Sequence, residues 1–207
     1  MNMQQEGSFK EILLDPRRTA LVVVDMENEF CTPGGKLYRR ERVDPFIPNL
    51  REFLERSREA GAQIIFVQST RFAYSPEFSR FCQPSILLKG TWASEFIEEI
   101  SPRDGEPVVE KHTHDCFYKT TMDRLLEGKN VLPDTYTIIV GGINANICVY
   151  HAILGFHVRH YNVVVPIDCC AGSEEGRRMV REQMCDKAYS YNVTITKSRS
   201  IRFERSR

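Results

Sequence analysis

The chain alternates short apolar runs rich in β-branched residues with stretches whose apolar positions recur every three to four residues. Six of the runs predict strands: Ala20–Asp25 (ALVVVD), Gln63–Gln68 (QIIFVQ), Pro107–Glu110 (PVVE), Thr135–Gly141 (TYTIIVG), Tyr161–Pro166 (YNVVVP) and Val193–Thr196 (VTIT). Runs such as LVVV and IIV show no polar alternation, so both of their faces are expected to be covered, as in a parallel sheet. Helical spacing fills the gaps at Ile47–Ala60, Trp92–Ile100, Thr120–Leu126, Ile147–His157 and Ser173–Ser190. The first of these carries apolar residues at 47, 50, 53 and 54 and stops at Gly61, a residue suited to the position just past a helix end. Strands separated by helices predict an α/β fold, a three-layer doubly wound sandwich with a six-stranded parallel sheet. Ligands of such sheets bind beyond the carboxyl ends of the strands, near the switch in strand order. The residues that follow each strand are therefore the candidates for chemistry.

A length of 207 residues fits one domain, 1–207, with residues 1–16 and 198–207 at its periphery. Lys and Arg together number 28, as do Asp and Glu, so no net charge is available to hold nucleic acid or an anionic membrane. The basic stretch Lys197–Arg207 reads as an exposed tail. No run approaches the roughly 18 apolar residues of a membrane span, and MNMQQEGSFKEILLDPRR lacks the apolar core of a signal peptide. The cytoplasm is the expected compartment. The seven cysteines (31, 82, 116, 148, 169, 170 and 185) are odd in number and irregular in spacing, which suits reduced thiols, most of them buried and inert.

The strand ends offer Asp25, then Ser69-Thr70-Arg71, then Lys111, then the loop GGINANIC, then Asp168. Cys148 has the most favourable address of the thiols. It follows a buried strand and the pair Gly141-Gly142, in the first turn of a helix whose apolar stripe is Val149, Ala152, Ile153 and Phe156. Free N–H groups and partial positive charge at a helix start stabilise a thiolate and can receive an oxyanion. The competing reading is a buried structural cysteine. Arg71 could grip a carboxylate through two parallel hydrogen bonds or be an ordinary surface arginine.

Three segments resemble the signatures of the isochorismatase-like cysteine hydrolases, a family that includes nicotinamidases and N-carbamoylsarcosine, ureidoacrylate and biuret hydrolases. They are VVVDMENEF (Val22–Phe30), the lysine of VVEKHTHDCF (Val108–Phe117) and GGINANICV (Gly141–Val149). The similarity runs from about Thr19 to about Thr196, and GTWASEF (Gly90–Phe96) looks like the family's segment between the second and third strands. The resemblance implies that Cys148 attacks a substrate carbonyl and that Asp25 relays its proton to the leaving amine. Lys111 would lower the thiol pKa and hold the carboxylate. It also implies a cis peptide at Ile143-Asn144, with the N–H groups of Asn144 and Cys148 receiving the oxyanion, and an acyl-thioester that water resolves. Phe30, Phe117 and Trp92 are the expected substrate-binding aromatics, whereas Phe72, Phe78 and Phe81 are expected in the core. The implied partners are a small-molecule substrate and further copies of the chain in a dimer or tetramer; no cofactor is expected.

The sequence also departs from the family pattern. The usual DMQNDF is DMENEF here, with Glu27 read as an exposed residue in preference to a negative charge near the site that would disfavour anionic substrates. Ala145 replaces a common threonine, and VYHAILGFH differs from the usual segment after the cysteine, with His151 read as a satisfied helix histidine. STRFAYSPEFSRF contains no histidine, so the metal-binding set of nicotinamidases is missing. His112 and His114 lack a distant third ligand and read as structural or exposed; no metal is expected. The expected activity is cysteine-dependent hydrolysis of a C–N bond in a small amide, carbamoyl or ureide compound. Vinyl-ether hydrolysis through the aspartate alone, or a catalytically silent protein that keeps the fold, are the alternatives.

Overall fold

The computed structural model describes residues 9, 11–74, 86–186 and 191–205. Six strands form one parallel sheet: β2 (Thr19–Val24), β3 (Gln63–Ser69), β4 (Val108–Lys111), β5 (Thr137–Gly142), β6 (Asn162–Pro166) and β7 (Val193–Thr196). Their spatial order is β4-β3-β2-β5-β6-β7, so the chain reverses direction across the sheet between β2 and β5. Each predicted strand is present, with ends moved by at most two residues and those of β7 unmoved.

Every residue of β2 is buried, which is why its pattern is unbroken. Its side chains still divide by the two-residue period of a strand. Ala20, Val22 and Val24, with Ile65, Val67, Ile138 and Val140, pack beneath α4 (Met122–Gly128), α5 (Cys148–His157) and α6 (Glu174–Met184). Leu21 and Val23, with Ile64, Phe66 and Ile139, face Leu50, Phe53 and Leu54 of α3 (Ile47–Ala60). This is the expected three-layer sandwich. Each fully buried aliphatic side chain contributes roughly 1.5–3 kcal/mol by leaving water.

Helix α3 carries Pro48 in its first turn, where an absent N–H costs nothing, and Gly61 ends it at φ 86°. Helix α6 is capped by Ser173, whose Oγ accepts the Gly176 N–H at 3.0 Å. It is shorter than the expected Ser173–Ser190, and residues 187–190 lie outside the described ones. Trp92–Ile100 is not one helix but two 3₁₀ turns, Trp92–Ser94 and Glu98–Ile100. Its backbone is claimed by the segment after β2: Ile97 N–H donates to Met26 O and Glu95 O accepts the Asn28 N–H, both at 2.9 Å. Two short helices, α1 (Asn28–Cys31) and α2 (Arg40–Val43), follow β2.

The stretch from Lys197 is not a loose tail. β8 (Ile201–Phe203) pairs in parallel with β1 (Ile12–Leu14), Ile201 is fully buried, and Phe203 stacks on Phe53 at 6.1 Å between ring centroids. Apolar anchors outweigh the basic composition there. Among the described residues, no helix is long and apolar enough to cross a membrane.

Candidate active site

Asp25 sits one residue beyond β2, at the point where the strand order switches. Its φ of 55° turns the chain into the left-handed region, an uncommon conformation that aspartate tolerates better than most residues. The turn leaves its carboxylate with no exposure to solvent. Ser69 and Lys111 end β3 and β4 and are paired in register, so their side chains emerge side by side. Cys148 arrives from the other side of β2. Gly142 at the end of β5 has φ 131°, and a Cβ there would fall 2.0 Å from Val24 O, so only glycine lets the strand pass so close.

These four residues meet around one ammonium. Lys111 Nζ lies 2.9 Å from Asp25 Oδ2, 2.7 Å from Ser69 Oγ, 3.1 Å from Thr113 O and 3.4 Å from Cys148 Sγ. The Ser69 hydroxyl passes its own hydrogen to Asp25 Oδ1 at 3.1 Å. The contact between Lys111 and Asp25 Oδ2 is an ion pair in distance but not an aligned hydrogen bond, so Oδ2 keeps the capacity to accept a proton. Burial opposes the Lys111 charge, but the Asp25 carboxylate and then Cys148 outweigh it and raise its pKa above the ordinary value. Lys111 is therefore a permanent cation.

Burial first, and then the Asp25 carboxylate, push the Cys148 pKa well above its ordinary value, while Lys111 only partly opposes them. The sequence expectation of a thiolate stabilised at the helix start leaves out this desolvation. Cys148 is indeed the first residue of α5, but it is also buried. The other described cysteines are unpaired; Cys31, Cys116, Cys169 and Cys170 are buried, and Cys185 is exposed.

The loop between β5 and α5 contains the cis peptide Ile143-Asn144. Ile143 N–H donates to Val24 O and Ala145 N–H to Ala171 O, which fixes the loop by its backbone where the threonine hydroxyl is missing. Among the described residues, the N–H groups of Asn144 and Cys148 have no acceptor. Both residues border a cavity of about 260 Å³ that is also lined by Phe30, Leu37, Arg39, Arg42, Ser69, Arg71, Ile86, His114, Ile143 and Ile147.

Not every expected residue reaches this cavity. Phe30 does. Phe117 does not: it lies against Gly155, meets Phe156 edge-on at 4.9 Å and is covered by Arg159, 3.6 Å from its centroid. Trp92 is half exposed with its ring beside Gly34, and its carbonyl accepts the Asn28 side-chain amide at 3.0 Å. Phe72 stacks on the exposed Tyr74 rather than entering the core, and Phe78 and Phe81 lie outside the described residues. His151 is satisfied within its helix, with Nδ1 2.7 Å from Ile147 O.

In the sequence Glu27 is misread, and His114, read as structural or exposed, is not assigned to the site. Glu27 is fully buried instead of exposed: Ser69 N–H donates to its Oε1 at 2.7 Å, and Oε2 has no partner among the described residues. Burial, then the nearby Asp25 charge, raise its pKa well above the ordinary carboxylate value, with Lys111 and the Ser69 N–H opposing them. His114 Nδ1 lies 3.5 Å from Cys148 Sγ. Its neighbour His112 turns away, with Nδ1 3.0 Å from Thr70 O. The two imidazoles thus diverge, and no group of three or more His, Cys, Asp and Glu among the described residues is placed to hold a metal ion.

A parallel sheet that switches between β2 and β5, with an acid, a cation and a thiol converging there, defines the class of isochorismatase-like hydrolases. The chain belongs to the isochorismatase-domain family, whose model matches residues 19–197. Among solved structures it is similar to an N-carbamoylsarcosine amidase from Thermoplasma acidophilum, with 29% identity, 87% of this chain and 96% of that one covered, and a TM-score of 0.73. A cysteine hydrolase from Pseudomonas syringae pv. phaseolicola shares the fold at 23% identity over 94% and 95% of the two chains, with a TM-score of 0.76. So does a pyrazinamidase of Pyrococcus horikoshii in complex with zinc, at 23% identity over 87% and 99%, with a TM-score of 0.74.

Proposed function

We propose that the protein is an amidohydrolase that cleaves a C–N bond of a small amide, carbamoyl or ureide compound through an acyl-thioester on Cys148. The observation that carries this is the Lys111 ammonium, buried within 2.9 Å of Asp25 Oδ2 and 3.4 Å of Cys148 Sγ, with Cys148 lining a small cavity. As sulfur attacks the carbonyl carbon, its proton passes to Asp25. The carbonyl oxygen becomes an oxyanion received by the N–H groups of Asn144 and Cys148. Asp25 then protonates the departing nitrogen, and the amine leaves. In the second half, Asp25 takes a proton from water, which attacks the thioester, and returns that proton to the sulfur as it departs. Lys111 keeps Asp25 anionic between these transfers and offsets charge on the sulfur.

The cavity wall carries Arg39, Arg42 and Arg71, and no carboxylate lines it among the described residues. That field favours a substrate bearing its own carboxylate, such as a ureido or carbamoyl acid. Vinyl-ether hydrolysis would not need a thiol beside the acid, so the placement of Cys148 supports amide chemistry instead. The experiment is ammonia release from a panel of ureido acids, their neutral analogues and simple amides, with Cys148→Ser and Lys111→Ala as controls. Release that both substitutions abolish supports the reading. Turnover that survives in Cys148→Ser overturns the thioester route.

A further inference from the structure

The mechanism above leaves one group on the sulfur without a task. Cys148 Sγ is approached from the buried side by Lys111 Nζ at 3.4 Å and from the cavity side by His114 Nδ1 at 3.5 Å. His114 reaches this position because the segment after β4 separates its two histidines. His112 is tied to Thr70, and Thr113 accepts from Lys111 through its carbonyl, which leaves the His114 ring on the cavity wall. The ring is solvent-facing and lies 5.7 Å from that of His151 on α5.

We propose that His114 is a further catalytic residue, a neutral imidazole whose Nδ1–H donates to the Cys148 sulfur and stabilises negative charge there both when the thiolate attacks and when it departs. The proposal rests on Cys148 being the nucleophile. His114 changes no protonation state in the cycle: the thiol proton passes through Asp25 to the departing amine, a proton from water returns through Asp25 to the sulfur, and the electron pair of the broken C–S bond returns to sulfur. Nδ1 must carry the hydrogen for this role, which leaves Nε2 as an acceptor. Partial burial, then the Lys111 ammonium and then His151 lower the His114 pKa, with Arg71 adding to them and Asp25 opposing. The uncharged form is therefore the one present near neutral pH. A neutral donor suits a site that already holds a permanent cation, because it supports the thiolate without a second buried positive charge.

The same geometry explains how a thiol with a raised pKa can still react. Asp25 removes the proton at the moment of attack, while hydrogen bonds from two sides hold the charge that is left. Hydrogen bonds to charged partners are worth more than neutral ones, so loss of one such bond corresponds to about a ten- to hundredfold change in rate.

The test reads the sulfur directly and needs no knowledge of the substrate. The whole protein is treated with iodoacetamide near neutral pH, and alkylation of Cys148 is followed by peptide mass spectrometry, with the exposed Cys185 as internal standard. His114→Ala is expected to slow alkylation of Cys148 about ten- to hundredfold, with Cys185 and the melting temperature unchanged. His114→Asn, whose side-chain amide places an N–H near the position of Nδ1, is expected to recover most of the rate. Wild-type alkylation in His114→Ala, or an Asn variant as slow as the Ala variant, would overturn the proposal. If the alkylation pattern holds while no amide or ureide is hydrolysed, the reading of the substrate fails and that of His114 stands.

Discussion

Glu27→Gln isolates the consequence of burying an acid beside another acid. Glu27 has no solvent exposure, and burial with the Asp25 charge holds its pKa well above the ordinary 4.5. Between the unfolded and folded pKa values the unfolded chain has released this proton and the folded chain has kept it. The unfolded state then binds fewer protons, so stability falls as pH rises, by about 1.4 kcal/mol for each pH unit. The loss accumulates from about pH 4.5 until the folded acid itself ionises. Glutamine removes the titration and keeps an oxygen for the Ser69 N–H, which now donates to Glu27 Oε1 at 2.7 Å. Its amide nitrogen takes the place of the unpartnered Oε2. Urea denaturation at several pH values between 5 and 8 measures the effect. The wild type is expected to lose stability steadily over that window relative to the variant, which should be the more stable protein at the alkaline end. Parallel curves for the two proteins would refute the reasoning, because they would mean that Glu27 already ionises in the folded state as it does in the unfolded one.

Other outcomes follow from the same geometry. Lys111→Met leaves Asp25 buried and unpaired, so it should cost about 3–5 kcal/mol in chemical denaturation. Adding Asp25→Asn to it should recover part of that loss, a coupling that a double-mutant cycle detects. Cys148→Ser keeps the packing but replaces the sulfur with a poorer nucleophile, and ammonia release should fall by about a thousandfold or more with the melting temperature nearly unchanged. Gly142→Ala forces a methyl group into Val24 O and requires φ 131° of a non-glycine residue, so soluble yield and melting temperature should both drop sharply.

What could be read from the chain before its structure depended on how local the cause was. β2 and α3 were legible because burial on both faces, or a single apolar stripe with a glycine stop, writes itself into neighbouring residues. Asp25, Lys111 and Cys148 were legible as strand-end and helix-start residues, and the motif resemblance joined them. Trp92–Ile100 misled because its backbone partners are Met26 and Asn28, far away in sequence. β1 and β8 have three residues each, too few for any period to show. Glu27 has the composition of a surface position, and only the fold reveals that Ser69 and Asp25 close over it. His114 looked like half of an exposed pair, since nothing local says that His112 will turn to Thr70. Phe117 shows the reverse error: its motif position was suggestive, but Gly155 opens a gap in α5 that its ring fills.

The strand order also bears on how the chain is made. β2 is synthesised early, yet β5, which covers its second edge, comes only after residue 136. Until then a growing chain holds an apolar strand with one side open, a template for pairing with other nascent chains. Cys148 follows within a few residues of β5, so the segment that closes this edge is continuous with the one that delivers the nucleophile. Truncations ending before β5 should therefore lose solubility and activity together, and a shorter soluble scaffold that merely lacks the thiol is not a fragment this topology can yield.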